Sequence, residues 1–485
     1  MKPKLRVLIL IVTLGASEVA AQAPGQSTGK ATSPASTTSG MTTPSSPESE
    51  SPYFGGVPSG ARHPGKIPLT LAGAIDRGLK YNLALVLTEE DTRAARGARL
   101  KTLADLLPNL TSELSESSQT LDLAAFGFAG LKGFPTLVGP FSVFSARLYL
   151  SQSVFDWKTL HKSKASREDV KAAEFSYKDA RDLVVLVALD LYLQAIAARS
   201  RVETARAEVK ASQAVYNRAV DMKKSGVIPG IDVLRSEVEL RAEQQRQIAV
   251  ENDFEKAKLN LARAIGLPVD QEFELADKIP YSPLTAMPLE EALATAYRSR
   301  ADYESAEARV RSAEDEKRAA RGGGLPSLSF DADYGDIGPV PGQSHGTYTV
   351  AASLRVPIFQ GGRVRGDVLE ADALLKQRQA ELADLRSRIE YQVRTAFLDL
   401  KASGDQVQVA SQAMSLADEQ LKEAEDRFSA GVVNSIEVVL AEEAYASAHE
   451  NYISSLFAYN LAKGSLARAL GIAETSATSI LEGGH

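Results

Sequence analysis

Side chains able to do chemistry are sparse in this sequence, and their spacing argues against catalysis. His63, His161, His345, His449 and His485 are scattered without metal-ligand spacing, and cysteine is absent. That excludes disulfides, a thiolate zinc site, a cysteine nucleophile and a lipid-bearing N-terminal cysteine. No P-loop, dinucleotide fingerprint or Gly-x-Ser-x-Gly elbow occurs. An enzyme is not expected, and no cofactor or metal is implied. Two sets of charged residues remain. Glu113, Asp331, Asp333 and Arg355 alternate with apolar neighbours and so share a polar face of extended chain. Asp232 and Glu437 each stand six residues after a glycine, Gly226 and Gly431. The chemistry open to both sets is electrostatic: biasing the passage of ions and polar molecules.

The elements that must hold these residues come as a duplication. Steps of 3 and 4 from Val202 land on Ala205, Val209, Ser212, Tyr216, Ala219 and Lys223. The same steps begun 205 residues later land on Val407, Ala410, Met414, Ala417, Leu421, Ala424 and Phe428. Both are heptad seams of small and apolar residues. Each runs into a turn, Ser225-Gly226-Val227 or Ala430-Gly431-Val432, and then a returning helix that ends in matching Leu261–Gly266 and Leu466–Gly471. Long helices are expected from about 158 to 224 and 363 to 428, with returning helices at 232–265 and 437–470. A run of some 65 helical residues spans about 100 Å. A repeat of this length governs the whole fold.

Each half opens with a short amphipathic helix, near Leu71–Leu79 and Pro288–Ala294. A helix of about 20 residues follows in each, stopped at Leu107-Pro108 and Leu325-Pro326, because proline lacks the amide donor and clashes with the preceding turn. The period then falls to two, predicting strands at about 109–118, 142–155, 327–336 and 346–359. Phe144, Ala146, Leu148 and Leu150 oppose Ser145, Arg147 and Ser151; Tyr348, Val350, Ala352 and Leu354 oppose Thr347, Thr349 and Ser353. In a soluble sheet the apolar face would be core. Here the strands form two hairpins of membrane-crossing length, and the helices spend their apolar residues on their own seams. A lipid-facing outside and a watery inside fit better. Four strands cannot close a barrel, and open edges are not tolerated in hydrocarbon, so the chain must oligomerise. The segment Gln119–Pro140, with Phe126, Phe128 and Phe134, reads as a longer loop than its twin near Gly335–Ser344.

Residues 1–21 read as a secretory signal, with basic Lys2, Lys4 and Arg6 before apolar Val7–Leu14 and small residues to Ala21. Residues 22–66 are a Ser/Thr/Pro-rich leader, too poor in large apolar side chains to order themselves. The two repeats then occupy 67–286 and 287–472, with a tail at 473–485. A net charge of −7 argues against a nucleic-acid partner. Past the N-terminus no apolar run is expected to serve as a spanning helix.

From about Ile67 to Ile472 the chain resembles the outer membrane efflux protein family, the TolC-like channels. The resemblance rests on the ordered, duplicated Leu107-Pro108-Asn109-Leu110 breaker, the Pro357-Ile358-Phe359-Gln360-Gly361-Gly362 junction, the Gly226 and Gly431 turns and the Ala264-Ile265-Gly266-Leu267-Pro268 end. It implies a mainly α fold with membrane β: a homotrimer whose 12-stranded β-barrel in outer membrane lipid continues as a 12-helix α-barrel tunnel in the periplasm. It implies a passive exit duct for efflux or type I secretion, with a periplasmic adaptor meeting Gly226, Val227, Gly431 and Val432, and an inner-membrane pump or ABC exporter. Glu437, Asp232 and Phe428 fall at the family's periplasmic entrance, where carboxylate rings attract cations. Leu440 and Val433 replace an acidic and a basic residue of the TolC pattern. Both acids also sit in the first turn of a helix, where a carboxylate favours the dipole, and Asn434 with Glu437 fits a capping box. Glu113, Asp331, Asp333 and Arg355 would line the barrel lumen. A structural periplasmic coiled-coil protein would leave the strands unexplained, and an adaptor has one helical hairpin rather than two.

Overall fold

In a computed structural model, the chain is described at residues 51–59, 64–127, 135–277, 281–283, 287–430, 432–433 and 435–476. The signal segment, most of the leader, Phe128, Phe134, Gly431, Asn434 and the end of the tail lie outside the described residues. The first half runs β1 (Ile67–Leu69), α1 (Leu71–Tyr81), α2 (Leu83–Ala104), β2 (Asn109–Asp122), β3 (Leu137–Phe155), α3 (Trp157–Lys224), α4 (Gly230–Ala264) and β4 (Phe273–Leu275). The second runs α5 (Leu289–Ser299), α6 (Ala301–Gly322), β5 (Ser327–Gly338), β6 (His345–Arg355), α7 (Arg363–Ser429) and α8 (Ser435–Leu470).

Local chemistry sets the boundaries. Thr70 caps α1 by accepting from the Gly73 amide, and Asn82 caps α2 by accepting from Ala84. Asp156 ends β3 and starts α3, its carboxylate taking the Lys158 and Thr159 amides. The seams lie where the heptads put them: Val202, Ala205, Ser212 and Ala219 are buried on α3, and Val407, Ala410, Ala417, Ala424 and Phe428 on α7. The short helices stack end to end beside the long ones. Asn82, at the start of α2, donates to the Ala264 carbonyl at the end of α4 (3.0 Å). Arg300, at the start of α6, reaches the Ala469 carbonyl of α8 (3.4 Å). Gly266 and Gly471 mark these two junctions with φ of +62° and +71°; a Cβ there would come within 2.5 Å of Tyr81 and 2.8 Å of Arg300.

The sheet is a single antiparallel layer in the order β2-β3-β5-β6. Between its two register shifts, at Gln119/Leu121 and Ser153/Phe155, it pairs odd residues with odd residues, as in Glu113↔Arg147, Arg147↔Gly335 and Gly335↔Thr347. Most polar side chains of the four patterns, with Glu113, Arg147, Asp331, Asp333 and Arg355 among them, therefore point to one face, while Glu116 and Asp336 fall on the other. The other face carries Leu110, Leu114, Phe144, Leu148, Leu150, Leu328, Phe330, Tyr334, Tyr348, Val350 and Leu354. No helix packs extensively on the sheet, and Leu114 and Tyr348 are 75% and 76% exposed.

Three expectations change, and one element is new. β2 and β3 extend into the segment read as loop, pairing Gln119 with Phe141 and Asp122 with Leu137. β6 stops at Arg355 rather than Phe359, because its partner Ser327 is the first residue after Pro326 and nothing lies beyond it to bond. Ile358 and Phe359 are then almost fully exposed. α3 does contain an 18-residue window apolar enough to span a membrane. It is mostly buried instead: Val185, Leu189, Tyr192, Leu193 and Ile196 form a core with α1, α4, β1 and β4. Sequence reading also gave no sign of the parallel β1–β4 pair, three residues each. Tyr192 holds it, its hydroxyl placing one proton between two acceptors, Asp277 Oδ2 at 2.7 Å and the Leu69 carbonyl at 2.9 Å.

Candidate functional site

The polar strand face is the first half of the site. Arg147 of β3 makes an ion pair with Asp333 of β5 and donates to Thr347 Oγ1 of β6 at 2.5 Å. The Arg147 side chain crosses β5 at Gly335, where a Cβ would come within 2.6 Å of it; only glycine leaves this path open. Both Arg147 and Asp333 are less than one-fifth exposed. Asp331 lies one pleat further on, opposite Ser151 and Ala351; Arg355 pairs in register with Ser327 and Glu113 with Arg147. The face therefore has mixed charge, with Asp333 neutralised inside the chain. The sequence placed Arg147 on this face but did not reveal it as the partner of Asp333.

The turn end of the helices is the second half. The two turns repeat one hydrogen-bond pattern 205 residues apart. Val227 N donates to Met222 O (2.9 Å) and Val432 N to Arg427 O (3.0 Å); Ser225 N donates to Asp221 O and Ala430 N to Asp426 O, both at 3.0 Å. Gly226 supplies a φ of +74°. Val227 and Val432 are exposed at the tips.

The three residues expected at the entrance separate here. Phe428 is 3% exposed, packed with Met222, Ala424, Val438 and Ala441, so its ring joins α3, α7 and α8 rather than facing a free surface. Asp232 is buried in the first turn of α4, with Arg235 Nη1 at 3.3 Å. Glu437 is partly exposed and accepts from Arg427 Nη1 at 2.6 Å, tying α8 to α7 across the turn. Arg427 thus stands where Val433 left no base. Nothing in its spacing marked it, because the pairing depends on how α7 and α8 are rotated against each other. Among the described residues no cluster of His, Asp or Glu could hold a metal ion. His161 instead meets Asp315 at 2.8 Å, and His449 lies 3.1 Å from Thr204 Oγ1.

A duplicated helical hairpin, joined to a four-stranded sheet that is polar on one face and apolar on the other, defines a class: the outer-membrane channel-tunnel chains. The chain belongs to the outer membrane efflux protein family, which matches residues 74–267 and 292–472. Among curated relatives it is 25% identical to the pyoverdine export outer membrane protein OpmQ of Pseudomonas aeruginosa, over 83% of this chain and 85% of that one. It is 23% identical to the alkaline protease secretion protein AprF of the same species, over 64% and 66%. Among solved structures it is similar in fold to the outer membrane protein VceC of Vibrio cholerae, with a TM-score of 0.72 at 18% identity, covering 83% of this chain and 96% of that. The outer-membrane channel OprN gives 0.69 at 19% identity, covering 83% and 89%. The protein is thus an outer-membrane channel of the efflux and secretion class.

Proposed function

We propose that this chain is the passive exit duct of a tripartite efflux or type I secretion assembly, working as a homotrimer. The observation that carries the reading is the sheet: its apolar face is uncovered, and the outer edges of β2 and β6 have no partner strand among the described residues. Such edges cannot sit in hydrocarbon, because every unpaired backbone group there costs several kcal/mol. Pairing β6 of one copy with β2 of the next closes a ring of 3 × 4 = 12 strands with the apolar face outward. The long helices, each flanked by a stacked pair of short ones, give four helical columns per chain and so 12 around the tube.

Exposed Leu398, Val409 and Leu416 on α7 would face a neighbouring copy. The tips at Gly226–Val227 and Gly431–Val432 would receive a periplasmic adaptor, with an inner-membrane pump or exporter supplying energy. Glu437 would face the entrance and Asp331 and Arg355 the barrel water. The export and secretion named for OpmQ and AprF support an outward direction of traffic; on this reading the chain performs no bond chemistry.

The test is native mass spectrometry of the detergent-extracted protein, followed by planar-bilayer recording. A detergent-dependent trimer with stable conductance is expected. A water-soluble monomer without conductance would overturn the reading.

A further inference from the structure

Between the turns and the β1–β4 core, helices α3, α4, α7 and α8 line a half-open cavity of about 440 Å³ with carboxylates from all four. Glu208 enters from α3, Glu243 from α4, Glu425 from α7 and Glu442 from α8. Glu243 is 6% exposed. Its Oε2, with Glu208 Oε1 and Glu442 Oε1, is buried with no hydrogen-bond partner among the described residues.

Two positive charges lie nearby. Lys422 of α7 pairs with Asp418 at 2.5 Å, and Arg246 of α4, 3.3 Å from Glu243 and 3.8 Å from Glu208, offsets only part of the cluster's negative charge. The other titratable groups around the cavity are Glu203 of α3, Glu239 of α4, and Glu443, Tyr445 and His449 of α8. The His449 imidazole is held toward its neutral form by burial, so it brings no compensating charge. Burial, reinforced by the charges of Glu239, Glu425, Glu243 and Glu208, pushes the Glu442 carboxyl up to about 8. Burial and the charge of Glu243 raise Glu208 and Glu239 as well. Burial, with Asp426 and Asp418, raises Glu425.

We propose that this cavity is a proton-operated latch: shared protons hold the four helices in the packing seen here, and ionisation drives α4 and α8 off α3 and α7. The sign follows from linkage. A carboxyl whose folded-state pKa is raised favours this packing at low pH, and the preference is lost as pH rises through the folded value. Fixed like charges on four helices cannot all be relieved by rotamers within one cavity, so relief requires the helices to part. The consequence for conduction rests on the duct reading; the helix separation does not.

The chain has no cysteine, so spin labels go only where they are placed. Ala214→Cys on α3 and Arg241→Cys on α4, both exposed, report the helix separation in the full-length, detergent-solubilised protein. The distance is measured from about pH 6 to about pH 9, on both sides of the Glu442 value of about 8, together with bilayer conductance. The wild-type distance is expected to lengthen and conductance to rise with pH. Both changes should vanish in the isosteric Glu208→Gln/Glu243→Gln/Glu425→Gln/Glu442→Gln variant, which keeps all four positions neutral at every pH. A wild-type distance that does not move, or a movement that survives in the variant, overturns the latch. A distance that moves in a protein that never conducts upholds the latch and overturns the duct.

Discussion

Charge at the turn end should respond to Arg427 and Glu437 as a unit. Their 2.6 Å pair joins side chains 46% and 41% exposed, so it stabilises the turn by no more than about 1 kcal/mol, and neither single substitution should unfold it. The ionic effect is larger. Arg427→Ala leaves the Glu437 carboxylate uncompensated, adding one negative charge per chain and three around the axis of the proposed trimer. At about 8 Å a carboxylate attracts a passing monovalent cation by about 0.5 kcal/mol in water, and 0.1 M salt roughly halves that. Three copies sum to about 0.7 kcal/mol, about a threefold enrichment of cations. Glu437→Ala leaves Arg427 alone and should shift selectivity toward anions by a similar factor, while the double variant should return close to wild type. The assay is the reversal potential across a planar bilayer under a KCl gradient. A reversal potential unmoved by Arg427→Ala, or moved toward anions, would refute both the entrance position of Glu437 and the pairing argument.

Three further outcomes follow from particular contacts. Phe428→Ala should cost about 3–5 kcal/mol by emptying the α3–α7–α8 cluster, seen as a lower melting temperature of the solubilised protein, with the conductance of surviving channels unchanged. A raised conductance without loss of stability would return Phe428 to the lumen. Leu398→Glu with Leu416→Glu places charge on the exposed face of α7, and native mass spectrometry should show trimer replaced by smaller species. Burial works against ionised Asp302, but the two hydrogen bonds and charge of Arg300 outweigh it and hold its carboxyl below the ordinary 3.8. Its stabilisation is present above that value and is lost as pH falls through the lower folded one, so Asp302→Asn should flatten the acid limb of a melting-temperature profile. It should also lower stability at neutral pH by about 3 kcal/mol, since buried Arg300 loses its charged partner.

Most of the architecture was legible because its signals are local. The heptads of Val202–Lys223 and Val407–Phe428, the breakers at Pro108 and Pro326, and the alternation around Phe144–Leu150 and Tyr348–Leu354 each act within a few residues of chain. Duplication at a fixed offset doubled every one of them, and the junctions at Asn82–Ala264 and Arg300–Ala469 keep that symmetry in space. Which distant side chains meet is settled by packing. The odd-with-odd register put four separate patterns on one face and set Arg147 against Asp333. A helix turns about 100° per residue, so a small rotation of α7 against α8 chooses whether Phe428 is buried, whether Arg427 reaches Glu437, and which carboxylates share a cavity. The sequence states how far apart those residues lie along the chain, and packing alone states their direction. Entrance chemistry and the four-helix acid cluster therefore could not be read from spacing, whereas the strands and helices that carry them could.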